Sequence, residues 1–159
     1  EYIDYIYAKK NKKLGLKTKS SKIRVRLFDK NKNEKYVFMQ GESINLELQV
    51  DLKIKEKCFC SVSIFDNFGK QITGWDFSEK NSFFKPHNNV KKVSISFKNY
   101  LGKGKYFFKI GIVKDSCYQV KNDIIFFEDR VGTFYSKRKN TKNLSYLMEI
   151  DADIKILYG

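Results

Sequence analysis

Residues 43–52 read "SINLELQVDL". Ile44, Leu46, Leu48 and Val50 alternate with Asn45, Glu47, Gln49 and Asp51. Successive side chains of a pleated chain point to opposite sides, so this alternation describes a strand with one buried and one wet face. Gly41 in "QGES" (40–43) supplies a turn signal just before it. The same period runs outward in both directions. "KIRVRLFD" (22–29) alternates Ile23, Val25 and Leu27 with Arg24 and Arg26. "CFCSVSIFD" (58–66) puts Cys60, Val62 and Ile64 on one face and Ser61, Ser63 and Phe65 on the other. "NFG" (67–69) turns the chain, and "KQITGWDF" (70–77) returns as the hairpin partner. "VKKVSISFK" (90–98) points Val93, Ile95 and Phe97 inward; "KYFFKIGIVKD" (105–115) does the same with Tyr106, Phe108, Ile110 and Ile112. "DIIFFEDRVGTFY" (123–135) is a long strand, and "YLMEIDADIKIL" (146–157) is the last. No segment sustains a helical period. About eight strands with frequent turn signals predict an all-β, immunoglobulin-like β-sandwich of two antiparallel sheets.

Composition fits one such domain. The chain has 159 residues, 42% hydrophobic and 16% aromatic, which is enough apolar surface for a core and too much for a disordered chain. No apolar run approaches the length of a membrane span. Residues 1–21 end in a lysine-rich, polar stretch and read as a linker or N-terminal extension, with the sandwich over 22–159. Glu1 opens the sequence with no signal-like segment, so the chain is expected to be a piece of a longer protein.

The formal net charge is +14, and all but four of the 32 basic residues are lysines. Nucleic-acid readers favour arginine for its two-pronged contacts, and no basic stripe stands out, so nucleic acid is not the expected partner. The lysines fit an AT-rich gene, an anionic partner or an acidic membrane leaflet. Cys58, Cys60 and Cys117 form no metal-ligand spacing, and His87 is the single histidine, so no metal is expected. The odd count points to reduced thiols.

Nothing in the sequence composes an active site. His87 sits in the polar loop "FFKPHNN" (83–89) and reads as a solvated residue. Glu128 and Asp129 are adjacent on a strand and face opposite ways, so they make no hydrolytic pair. "LGKGKY" (101–106) lacks the phosphate-loop pattern and opens a strand. No catalytic residues and no cofactor are expected.

Surfaces remain. Strands at 59–66, 70–77, 104–114 and 124–135 are expected to share one sheet. Their outward positions would be Ser61, Ser63 and Phe65; Thr73, Trp75 and Phe77; Phe107 and Lys109; Arg130 and Phe134. Aromatic rings beside hydroxyls and cations suit sugars, since a ring covers the C–H face of a pyranose while polar neighbours read its hydroxyls. Trp75 is the expected stacking platform, framed by Phe65 or Phe77. Thr73, Ser63, Asn67 and Asp76 would supply hydrogen bonds; Lys109 and Arg130 would meet an acidic or polar substituent. The alternatives are that this face packs on another chain, or that a one-residue register slip puts Trp75 in the core.

"FMQGESINLELQVDL" (38–52), "CFCSVSIFDNFGKQITGWDF" (58–77), "NYLGKGKYFFKIGIVKD" (99–115) and "DIIFFEDRVGTFY" (123–135), in that order, resemble the C-terminal carbohydrate-binding domain of Wzt. Wzt is the nucleotide-binding subunit of ABC transporters that export O-antigen polysaccharide. The resemblance covers roughly residues 22–158. It implies a non-catalytic module that recognises the terminus of a lipid-linked O-antigen in the cytoplasm, at the inner face of the inner membrane. It implies an ATPase domain on the same chain, the transporter membrane subunit as a partner, and a homodimer formed by exchange of a C-terminal strand. "SKRKNTKN" (136–143) would be the hinge. A tryptophan is implicated in glycan recognition in that family, and Trp75 is the one residue able to match it. The other class of function is a structural or dimerisation domain whose aromatic sheet face is covered by another chain.

Overall fold

The computed structural model describes residues 23–53, 55–85, 89–114, 124–138 and 152–158. The expectations for residues 1–21, His87, Cys117 and the hinge beyond Arg138 lie outside them. Ten strands follow in order: β1 (Ile23–Phe28), β2 (Val37–Met39), β3 (Ser43–Lys53), β4 (Cys58–Asp66), β5 (Gln71–Asp76), β6 (Phe83–Phe84), β7 (Asn89–Lys98), β8 (Gly104–Lys114), β9 (Ile124–Lys137) and β10 (Ala152–Tyr158). The one helical piece among the described residues is a short 3-10 turn, Phe77–Lys80.

The strands form a sandwich of two sheets. One sheet has the order β1-β3-β7-β10; the other is β2-β9-β8-β4-β5, with β6 beside the start of β4. The expected grouping of β4, β5, β8 and β9 in one sheet is what the structure contains. The eight described ladders are not all alike: β2 runs parallel to β9, pairing Val37 with Tyr135 and Met39 with Lys137, while the others are antiparallel. Two small strands, β2 and β6, were not legible as period-two segments because each is only three or two residues long.

The core lies between the sheets. Ile44, Leu46 and Leu48 of β3 meet Leu27, Val25 and neighbours on the same face, with Val93 and Ile95 of β7, all fully or almost fully buried. The opposite layer gives Val62, Ile64, Phe108, Ile110, Ile112 and Phe134. Phe134 stacks on Phe108 at 5.2 Å and on Tyr106 at 5.6 Å, and takes the edge of Phe38 at 6.4 Å. Phe134 was expected to face outward. It pairs directly with inward Tyr106, so it belongs to the core.

One buried polar knot ties the ends of both sheets together. The Asn99 amide donates to the Met39 carbonyl at 3.1 Å and to Ser136 Oγ at 2.9 Å, and the Ser136 hydroxyl reaches the Leu101 carbonyl at 3.0 Å. Both side chains are buried, and the knot satisfies the backbone carbonyls of Met39 at the end of β2 and of Leu101 between β7 and β8.

Candidate functional site

The residues expected to bind ligand divide into two sets. β5 pairs with β4 so that Trp75 lies opposite Val62 and Thr73 opposite Ile64. Val62 and Ile64 are fully buried, so Thr73 and Trp75 face the core side as well. Trp75 is only 6% exposed, and its ring lies 4.7 Å from Phe97 of the opposite sheet. Phe77, in the 3-10 turn after β5, is fully buried. The expected outward placement of Thr73, Trp75 and Phe77 is therefore corrected. The alternation is right in period, but the face is wrong, because Gly74 and Asp76 rather than Trp75 look outward.

Asp76 has a local task. Its carboxylate accepts the Ser78 amide at 2.9 Å and the Ser78 hydroxyl at 2.5 Å, capping the 3-10 turn. Asn67 sits in the exposed β4–β5 turn, beyond the sheet face.

The other set comes together on the outer face of the six-stranded sheet. Cross-strand register builds it in rows. Gly74, Ser63 and Lys109 share one row, and Phe65, Phe107 and Thr133 share the next. Asp76, Ser61, Gly111 and Phe127 share the row on the other side. Phe65 and Phe107 stack at 5.9 Å with rings 13° apart. Cations roof this pair: Lys109 Nζ is 4.2 Å from the Phe65 ring centre, and the Arg130 guanidinium is 4.8 Å from that of Phe107. This explains how Phe65 and Phe107 face outward yet are well covered. Lys109 also lies 5.8 Å from Phe127 and 3.8 Å from the Asp129 carboxylate.

Backbone irregularity aims the cations. The β8–β9 register shifts between Phe108 and Ile110, where Glu128 and Gly132 bracket extra residues. Arg130 stands in that bulge with φ of +56°, a conformation a non-glycine residue adopts at a cost. It turns a charged side chain back over the sheet instead of letting it continue the alternation.

Phe127 is the residue the sequence reading missed. It is 56% exposed and stands directly across from Gly111, where a Cβ would still sit 4.0 Å from its ring. The row therefore offers an open ring, then a bare strip of backbone, then the Ser61 hydroxyl. Strand spacing puts Ser61 about 10 Å from β9, roughly the width of a sugar ring and its substituents. Gly111 was the one available signal, because a glycine inside a strand marks a place where something approaches the backbone. Gly74 borders the neighbouring row. A Cβ there would meet Ser63 Oγ and the Val62 carbonyl, each at 2.9 Å.

The two described thiols, Cys58 and Cys60, offer no competing chemistry. Burial pushes the Cys58 thiol up to about 12, and it raises Cys60 further still, so neither forms a thiolate near neutral pH. Both are unpaired. Among the described residues no cluster of histidine, cysteine and carboxylate groups could hold a metal. No helix among them is long and apolar enough to cross a membrane.

The family model of the Wzt C-terminal domain matches residues 18–140. No curated protein matches the chain.

Proposed function

The chain belongs to the Wzt C-terminal domain family, and from that premise we propose that it is a non-catalytic carbohydrate-binding module acting through the outer face of the β2-β9-β8-β4-β5 sheet. The ligand is the terminus of an O-antigen polysaccharide awaiting export by an ABC transporter. The observation that carries the reading is the Phe127–Gly111–Ser61 row. An open aromatic ring, a gap without side chains and a hydroxyl stand side by side on a rigid sheet, which is what a pyranose needs from a protein. Lys109 borders that row, with the Arg130 guanidinium one row further on over Phe107, and the two would engage a polar or acidic substituent. Trp75 has no part in the contact.

Such a face is shallow, and sugar hydroxyls must shed water to reach it, so affinity for a single site is weak. Pairing two modules on one transporter offsets this through effective concentration. In this reading the module works beside an ATPase domain of its own chain, at the inner face of the membrane.

The test is calorimetric titration of the chain with the O-polysaccharide of the organism that encodes it, beside Phe127→Ala and Lys109→Ala. Saturable binding that the two variants weaken supports the reading. Binding that survives both moves the ligand elsewhere, and no heat with the cognate glycan removes the reading.

A second reading has its own observation. Leu157 and Tyr158 at the end of β10 are 52% and 37% exposed, and among the described residues β10 is an edge strand paired only with β7. An edge with apolar residues in water suits a second chain. This is the assembly role, by exchange of β10 between protomers, and sedimentation of the chain with and without residues 152–158 tests it.

A further inference from the structure

Phe68 is the most exposed large apolar residue described, at 93%. It stands at the apex of the β4–β5 turn, and the turn does not need it. The Asp66 carboxylate accepts the Phe68 and Lys70 amides, each at 2.9 Å. The Asp66 amide donates to the Lys70 carbonyl at 3.0 Å, the Gly69 amide returns to the Asp66 carbonyl at 3.1 Å, and Gly69 takes a φ of +84°. Asp66 and Gly69 thus make the turn, while the Phe68 ring is held in water at a fixed height. Displaying a phenyl ring this way forgoes the burial such a side chain ordinarily gains.

The surroundings of the ring are basic. Asp66 lies opposite Tyr106, so the apex continues beside the start of β8. Lys103 and Lys105 there are exposed, as is Lys70 in the turn itself. The Arg138 guanidinium stands over the same rim, 3.8 Å from where a Cβ on Gly102 would be. Against these cations the turn sets one carboxylate, that of Asp66, already committed to two amides.

We propose that this end of the sandwich docks on an anionic lipid surface, with Phe68 entering the headgroup–acyl boundary and Lys70, Lys103, Lys105 and Arg138 meeting lipid phosphates. The chemistry favours a bilayer over a protein. A protein interface needs a cluster of apolar groups around its anchor. Phe68 is flanked by Asn67, Gly69 and Lys70, which give none. A bilayer interface accepts a lone ring among lysines, because the ring finds hydrocarbon at any point and each cation gains from the surface potential.

The test is flotation of the 159-residue chain with vesicles of phosphatidylcholine, with and without phosphatidylglycerol, at low and raised salt. Binding is expected with phosphatidylglycerol only, weakening as salt rises. Phe68→Ala is expected to reduce it about tenfold while leaving thermal stability unchanged. Phe68→Trp is expected to bind and to shift its emission to the blue on the vesicles. Failure of the unaltered chain to float, or equal binding by Phe68→Ala, overturns the proposal. Binding lost in Lys103→Glu but kept in Phe68→Ala means adsorption by charge alone and overturns insertion. Glycan binding at the sheet face is independent of Phe68, so the titration described above separates failure of one idea from failure of the other.

Discussion

Trp75 and Phe97 touch across the sandwich, one from each sheet, with ring centres 4.7 Å apart and planes 44° apart. The contact pins the edge strand β5 to β7. Trp75→Ala would leave a large cavity between sheets, and the expected loss is about 3–5 kcal/mol. Urea unfolding followed by circular dichroism measures it. The same burial makes the single tryptophan a reporter of folding: its emission is expected to be blue-shifted in the native chain and insensitive to glycan.

Phe127→Ala should behave in the opposite way. The ring is more than half exposed, so stability should change by no more than about 0.5 kcal/mol. Glycan affinity should fall about tenfold, the loss of a typical aromatic anchor. Titration calorimetry and thermal unfolding on the same sample read both quantities.

Gly74→Ala tests the close approach of β5 to β4. The new methyl would meet the Val62 carbonyl, which is backbone and cannot swing aside. A loss of about 1–3 kcal/mol is expected. Adding Ser63→Gly removes only the side-chain half of the clash, so it should restore part of that loss and no more.

Acid should loosen the β1 edge. The Arg26 guanidinium, and after it the Tyr36 hydroxyl, hold the Glu34 carboxyl below its usual range, against the opposing effect of burial. At Glu42 burial pushes the carboxyl up, but Lys35 and the Met39 amide outweigh it and the net direction is down. Depressed carboxyls stabilise the fold above the ordinary carboxylate pKa, and that stability goes as pH falls through it to the lower folded value. The pairs are largely solvated, so each contributes at most about 1 kcal/mol. Urea midpoints measured from neutral pH downward should fall through this window, and Glu34→Gln should flatten the slope.

Much of the fold was legible because it depends on a period. Ile44 through Val50, Val93 through Phe97 and Tyr106 through Ile112 alternate cleanly, and each faces the core as read. The face of β5 was not legible. "ITGWDF" has an apolar or aromatic residue at both parities, so Trp75 fits either side until β4 fixes the register. Ser63, Phe65, Lys109 and Arg130 do gather on one outer face, since their strands alternate unambiguously or, for Arg130, escape into a bulge. Phe127 was hidden for the reason Trp75 was misplaced: "IIFF" is apolar on both parities. Only its partner across the ladder, Gly111, tells which ring has room above it, and a ladder partner is not written in one strand.

The tight turn that carries Phe68 also stands apart in how the chain must assemble. Ile64 and Thr73 pair across nine positions of sequence, whereas β3 meets β7 with Ser43 against Lys98 and β7 meets β10 with Phe97 against Ala152. Even the nearest pairs of those ladders, Lys53 with Asn89 and Phe97 with Ala152, lie more than thirty residues apart. Chains so dominated by distant pairings fold in milliseconds to seconds rather than microseconds. Among the described ladders the β4–β5 hairpin closes the shortest loop, Phe65 against Gln71, and Asp66 is the residue that closes it. The apex that holds a ring out in the water is thus also where the order of folding is expected to begin.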